Sequence, residues 1–105
     1  MLESTFQSEL IKELEDIFRG CIVLKNDANY LQGFPDLTIF FEDKYAVLEC
    51  KRFEFEPHRP NQDYYVDVVN AMSFARFIYP ENKEEVLYEL QQAFQNRRST
   101  CLPQC

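Results

Sequence analysis

The chain has 105 residues, 46% of them hydrophobic, with ten Phe and six Tyr, which suffices for one core and points to one domain over this stretch. Eighteen acidic against 11 basic residues leave a formal net charge of -7, which excludes attachment to nucleic acid by bulk charge alone. No apolar run approaches a membrane span, and Met1-Leu2-Glu3-Ser4 lacks the basic and apolar regions of a secretory leader, so the expected location is the cytosol and no membrane partner is expected.

The spacing of Phe6, Leu10, Leu14, Ile17 and Phe18 predicts an amphipathic helix from Leu2 to Arg19, with Gly20 as its C-terminal cap. Glu3 lies near its start, where an acidic side chain suits the helix dipole. The β-branched run Cys21 to Lys25 predicts a short strand, and the polar stretch Asn26 to Gly33 a connection rich in turn residues.

Two apolar strands should follow, one leading from Gly33-Phe34-Pro35-Asp36 to Phe41 and one from Tyr45 to Lys51, joined at the turn Glu42-Asp43-Lys44. Pro35 cannot donate to a ladder and fits a strand start. Glu49 and Lys51 interrupt the second strand two residues apart, and side chains two apart share a face. A loop of Asp43-Lys44 would set Asp36 opposite Lys51, and a loop of Glu42-Asp43 would set it opposite Glu49. Either even register gathers Asp36, Glu49 and Lys51 on one face and sends Leu48 and Cys50 to the other, into the core.

Arg52 to Arg59 reads as a charged loop. Asn61 should cap a second helix, Gln62 to Ala75, whose stripe is Tyr65, Val68, Val69 and Met72. Arg76 to Tyr79 reads as a strand stopped by Pro80. Asn82 with Glu85 makes a capping box for a third helix, Lys83 to Phe94, with Val86, Leu87, Leu90 and Phe94 facing inward. Asn96 to Cys105 has no periodicity and is expected to be a mobile tail, leaving residues 1–95 as the single domain. The fold class is α/β (α+β), in the order α-β-β-β-α-β-α, a mixed sheet flanked by helices.

The four cysteines, Cys21, Cys50, Cys101 and Cys105, and the lone His58 do not make a zinc-site pattern, and no disulfide framework is expected. His58 reads as a surface residue. Buried charge is costly unless it is paired, hydrated or bound to metal, so the hairpin charges mark the place to look for function. Two carboxylates on adjacent strands suit a hard cation such as Mg²⁺, which polarises a phosphodiester and acidifies bound water. Lys51, beside two carboxylates, is expected to act electrostatically on phosphoryl oxygens.

Pro35-Asp36, a hairpin turn, then Glu49-Cys50-Lys51 resembles the signature of the PD-(D/E)XK nucleases. Glu3 with Gln7, Gly33-x-Pro35-Asp36-Leu37 and Gln62 are similar to its VRR-Nuc branch, including small phage-type nucleases. The resemblance spans roughly Glu3 to Phe94 and implies a restriction-endonuclease-like core and a Mg²⁺- or Mn²⁺-dependent DNA nuclease. It implies metal ligation by Asp36, Glu49 and the Cys50 carbonyl, with Glu3 completing the acidic cluster, Lys51 as catalytic lysine and Gln62 beside the scissile phosphate or Lys51. It also implies a homodimer acting on branched or structured DNA. Glu9 is the alternative to Glu3 on the same helix, and Lys25, Arg52, His58, Arg59, Arg97 and Arg98 would have to form the DNA footprint. The competing reading is a non-catalytic acidic interaction module that binds a replication or defence protein.

Overall fold

The strand Lys44–Cys50 is buried at each residue from Ala46 to Cys50, a pattern that requires a sheet covered on both faces. The computed structural model describes residues 2–95. The expected tail, with Arg97, Arg98, Cys101 and Cys105, lies outside the described residues. The order is α1 (Glu3–Ile17), β1 (Ile22–Lys25), β2 (Leu37–Phe41), β3 (Lys44–Cys50), α2 (Gln62–Met72), β4 (Ala75–Ile78) and α3 (Lys83–Gln95). This is an α+β fold with a four-stranded mixed sheet in the order β1-β2-β3-β4. β1, β2 and β3 are antiparallel neighbours, and β3 and β4 run parallel. A parallel pair needs a crossover, and α2 supplies it.

Alternation along β2 and β3 sorts the two cores. Leu37, Ile39, Ala46, Leu48 and Cys50 join Phe6, Leu10 and Leu14 of α1 and Val86, Leu87, Leu90 and Phe94 of α3 in the larger one. Val47, Val66, Val69 and Ala75 form the smaller one under α2. The stripe read for the third helix is therefore the buried one, and so are Phe6, Leu10 and Leu14 of the first, where Ile17 is only partly buried and Phe18 is buried beyond the helix end. α2 packs on β3 and β4, and Ile22 and Leu24 on β1 and Phe40 on β2 stay exposed.

Several local expectations are corrected. α1 ends at Ile17, and Gly20, at φ +90°, turns the chain into β1 beyond the helix end. α2 stops at Met72 rather than Ala75, because Phe74 and Ala75 are already buried against the sheet. Ser73 hydroxyl donates to the Tyr45 carbonyl, and Asn70 Oδ1 accepts from Ala75 N–H, which fixes that exit. The buried face of α2 is Gln62, Val66 and Val69; Met72 is exposed, and Tyr65 is only partly covered. Asn61 stands at the N-cap in a left-handed conformation, φ +73°, without a side-chain cap bond. Asn82 precedes α3 as expected, but its side chain ties the turn, accepting from Tyr79 N–H and donating to the Phe77 carbonyl. No helix among the described residues is long and apolar enough to cross a membrane.

Candidate functional site

The hairpin register decides the site. Phe41 pairs with Lys44, so Glu42 and Asp43 form the loop and the ladder runs to Leu37 opposite Leu48. One step further sets Asp36 level with Glu49, the second of the two even registers. Asn26 holds the strand entry: its N–H donates to the Asp36 carbonyl at 2.7 Å, and its amide donates to the Pro35 carbonyl at 2.9 Å and to Thr38 Oγ1 at 2.8 Å. Asp36 Oδ2 in turn accepts from Cys50 N–H at 2.9 Å. In a strand, a residue's N–H and C=O point to the same side, which directs the Cys50 carbonyl toward Asp36 as well. The Cys50 side chain goes the other way, into the core, where burial raises its thiol pKa and keeps it protonated. Only the Cys50 main chain is left to serve as a ligand.

Glu49 and Lys51 share the α2 face and are 4% and 3% exposed, which is rare for charged groups and demands partners. Gln62, the first residue of α2, supplies them. Its Nε2 donates to Glu49 Oε2 at 2.8 Å, and its Oε1 accepts from Lys51 Nζ at 2.7 Å and from Arg59 N–H at 2.8 Å. Lys51 Nζ also donates to the Pro57 carbonyl at 3.2 Å. The helix start is fixed from below by Gly33. At φ +88°, a Cβ there would lie 2.6 Å from Asn61 Cβ and 2.7 Å from the Pro60 carbonyl oxygen, so only glycine allows this approach.

Glu3, Asp36, Glu49, Cys50, Lys51 and Gln62 all line one cleft of about 490 Å³. Glu9 is exposed and does not line it, so α1 contributes Glu3. Burial, and then the Asp36 carboxylate, push Glu49 up to about 8. Burial also raises Asp36, against the Cys50 N–H that favours its ionised form. Glu3 is raised by its own partial burial and by the Asp36 charge. These carboxyl groups are held together against their mutual repulsion.

The residues fit a hard divalent cation in one specific respect. Glu49 Oε1 is buried and makes no hydrogen bond of ordinary geometry, with only the Asp36 carboxyl and N–H bearing on the Glu49 carboxyl from that side; such an atom costs about 1–3 kcal/mol in a neutral group and more in a charged one. A cation bound there by Glu49 and Asp36 would satisfy that atom and offset the repulsion. Among the described residues, no group of three or more His, Cys, Asp or Glu side chains is close enough to hold a metal. Asp36, Glu49 and Glu3 line the same cleft without forming such a group.

His58 lies at the surface as read, but with partners there: its ring stacks on Phe77 at 4.1 Å between centroids, and Nδ1 lies 2.7 Å from Asp63 Oδ1. It thereby holds the 52–59 loop, including Pro57 and its carbonyl, against α2 and β4. Of the basic residues expected in a DNA footprint, Arg59 lines the cleft and Arg52 bonds Glu56 within its own loop. Asn26, His58 and the Pro57 carbonyl carry no pattern signal; their roles come from long-range packing. Gly33 was visible only as part of Gly33-x-Pro35-Asp36. No family model, curated protein or solved structure matches this chain.

Proposed function

We propose that this chain is a divalent-metal-dependent DNA nuclease with a restriction-endonuclease-like core, of the PD-(D/E)XK type and its VRR-Nuc branch. The observation that carries the reading is the buried, unpartnered Glu49 Oε1 beside Asp36, in the same cleft as Lys51 and Gln62. Asp36, Glu49 and the Cys50 carbonyl would hold Mg²⁺ or Mn²⁺, with Glu3 reaching it through water. The cation would polarise the phosphodiester and acidify an attacking water. Lys51 is aimed by Gln62 Oε1 and the Pro57 carbonyl and would stabilise charge on the phosphoryl oxygens. Gln62 sets the distance between Glu49 and Lys51 by bonding both. Arg59 adds a second positive charge to the cleft. A homodimer acting on branched or structured DNA, as the resemblance implies, completes the proposal.

The test is incubation with supercoiled, single-stranded and four-way-junction DNA in Mg²⁺, Mn²⁺ or EDTA. Cleavage that needs the cation and disappears in Lys51→Ala supports the enzyme. If wild type and Lys51→Ala behave alike, the non-catalytic interaction module is the better reading.

A further inference from the structure

We propose that the cleft takes an unpaired strand of DNA and holds its bases by stacking on two exposed rings, Tyr30 and Phe55. The inference rests on the nuclease reading and names the substrate class for that same site. Tyr30 is 88% exposed and Phe55 82%. Each belongs to a loop that builds the cleft: Tyr30 lies between Asn29 and Gln32, and Phe55 directly precedes Glu56, and these three neighbours all line it. Neither loop is a loose end. Asp27 accepts from Asn29 N–H through Oδ1 at 2.8 Å and from Tyr30 N–H through its carbonyl at 3.1 Å. Glu56 Oε1 accepts from Arg52 N–H at 2.6 Å, and Glu56 N–H donates to the Phe53 carbonyl at 3.2 Å. Two ordered turns therefore hold large rings in water, where they add nothing to the core.

Charge rules out the usual alternative. The ionisable lining is acidic, with Glu3, Asp36, Glu49 and Glu56 against Lys51 and Arg59, in a chain of net charge -7. Phosphate contacts alone cannot supply the affinity here. A duplex hides its base faces inside the stack, whereas an unpaired strand offers them, and base–aromatic stacking is tolerant of sequence. Neutral rings on two loops that border an acidic cleft, next to its lining residues Asn29 and Glu56, thus favour single strands or the unpaired arms of branched DNA.

The experiment is fluorescence anisotropy with a labelled single-stranded oligonucleotide and the matching duplex, in Ca²⁺ to limit cleavage. Wild type is compared with Tyr30→Ala, Tyr30→Phe and Phe55→Ala, each with its melting temperature as a folding control. The expected result is tighter binding to the single strand, weakened roughly tenfold by each alanine and retained by Tyr30→Phe. Folded alanine variants that bind the single strand as well as wild type overturn the proposal, as does equal binding of duplex by the wild type. Mg²⁺-dependent cleavage in all variants with unchanged binding sinks the stacking and leaves the nuclease. Ring-dependent binding without cleavage in Mg²⁺ or Mn²⁺ sinks the nuclease and leaves the stacking.

Discussion

Gln62 donates from Nε2 to Glu49 Oε2 over 2.8 Å, and in doing so leaves the other carboxylate oxygen as the one buried, unpartnered side-chain atom among the described residues. The same amide accepts from Lys51 through Oε1, so a single side chain from α2 spaces the acid and the amine on β3 and its extension. Replacing Gln62 by Leu should leave Glu49 and Lys51 buried with one partner fewer each. The expected loss is about 1–3 kcal/mol in urea unfolding, with cleavage falling further than stability because Lys51 loses its aim. Unchanged cleavage in a folded Gln62→Leu would remove Gln62 from the machinery.

Metal and pH should act on the same pair. Glu49 has its folded pKa raised from 4.5 to about 8 by burial and the Asp36 charge. The folded protein therefore holds a proton that the unfolded chain releases near pH 4.5. Stability from this group is fully present below about pH 4.5 and is lost as pH rises through about 8. Without divalent cation, the melting temperature should fall between pH 5 and 8 by an amount that Glu49→Gln reduces. Adding Mn²⁺ at pH 8 should restore it in wild type and not in Asp36→Asn. Thermal melts across that pH range, with EDTA or Mn²⁺, give all of these values.

Gly33→Ala should unfold the protein more readily, by more than about 1 kcal/mol. The added Cβ would meet Asn61 and the Pro60 carbonyl in a backbone conformation that favours glycine. Chemical denaturation measures the loss. Asn61 is the residue displaced, so Gln62 should shift with it and cleavage should fall below what stability alone explains.

His58→Ala should cost little stability, about 1 kcal/mol, since the residue is partly exposed and its bond to Asp63 is at the surface. It should nonetheless slow cleavage, because the 52–59 loop carries the Pro57 carbonyl that Lys51 donates to. His58→Phe keeps the stack on Phe77 and should recover more activity than His58→Ala. Equal rates for the two variants would place the effect in the Asp63 bond instead.

The fold was legible where burial follows a single period. α1 and α3 each pack one face on one layer, so Phe6, Leu10 and Leu14, and Val86, Leu87, Leu90 and Phe94, read directly as core. The hairpin was legible because Glu49 and Lys51 break an apolar strand two apart and the turn admits few registers. The buried face of α2 is rotated by about one residue from the expected stripe: periodicity favours Tyr65, Val68 and Met72 beside Val69, but Gln62 is buried for its hydrogen bonds, not its hydrophobicity. Asn61 and Asn82 look like caps by composition, and the carbonyl of each accepts a first-turn N–H; but the Asn61 side chain makes no cap bond and the Asn82 side chain ties the preceding turn. The supports of the site, Asn26, His58 and the Pro57 carbonyl, act on residues 5 to 12 positions away or further, and no local pattern encodes such contacts.

The measurement that bears most directly on the central claim is a crystal of the protein soaked in Mn²⁺ and read by anomalous scattering. The account predicts a single strong peak within coordination distance of the Asp36 and Glu49 carboxylates, with Glu49 Oε1 among its ligands, and its loss in Asp36→Asn. A well-ordered cleft with no peak between these two side chains, and Glu49 Oε1 still without a partner, would contradict it.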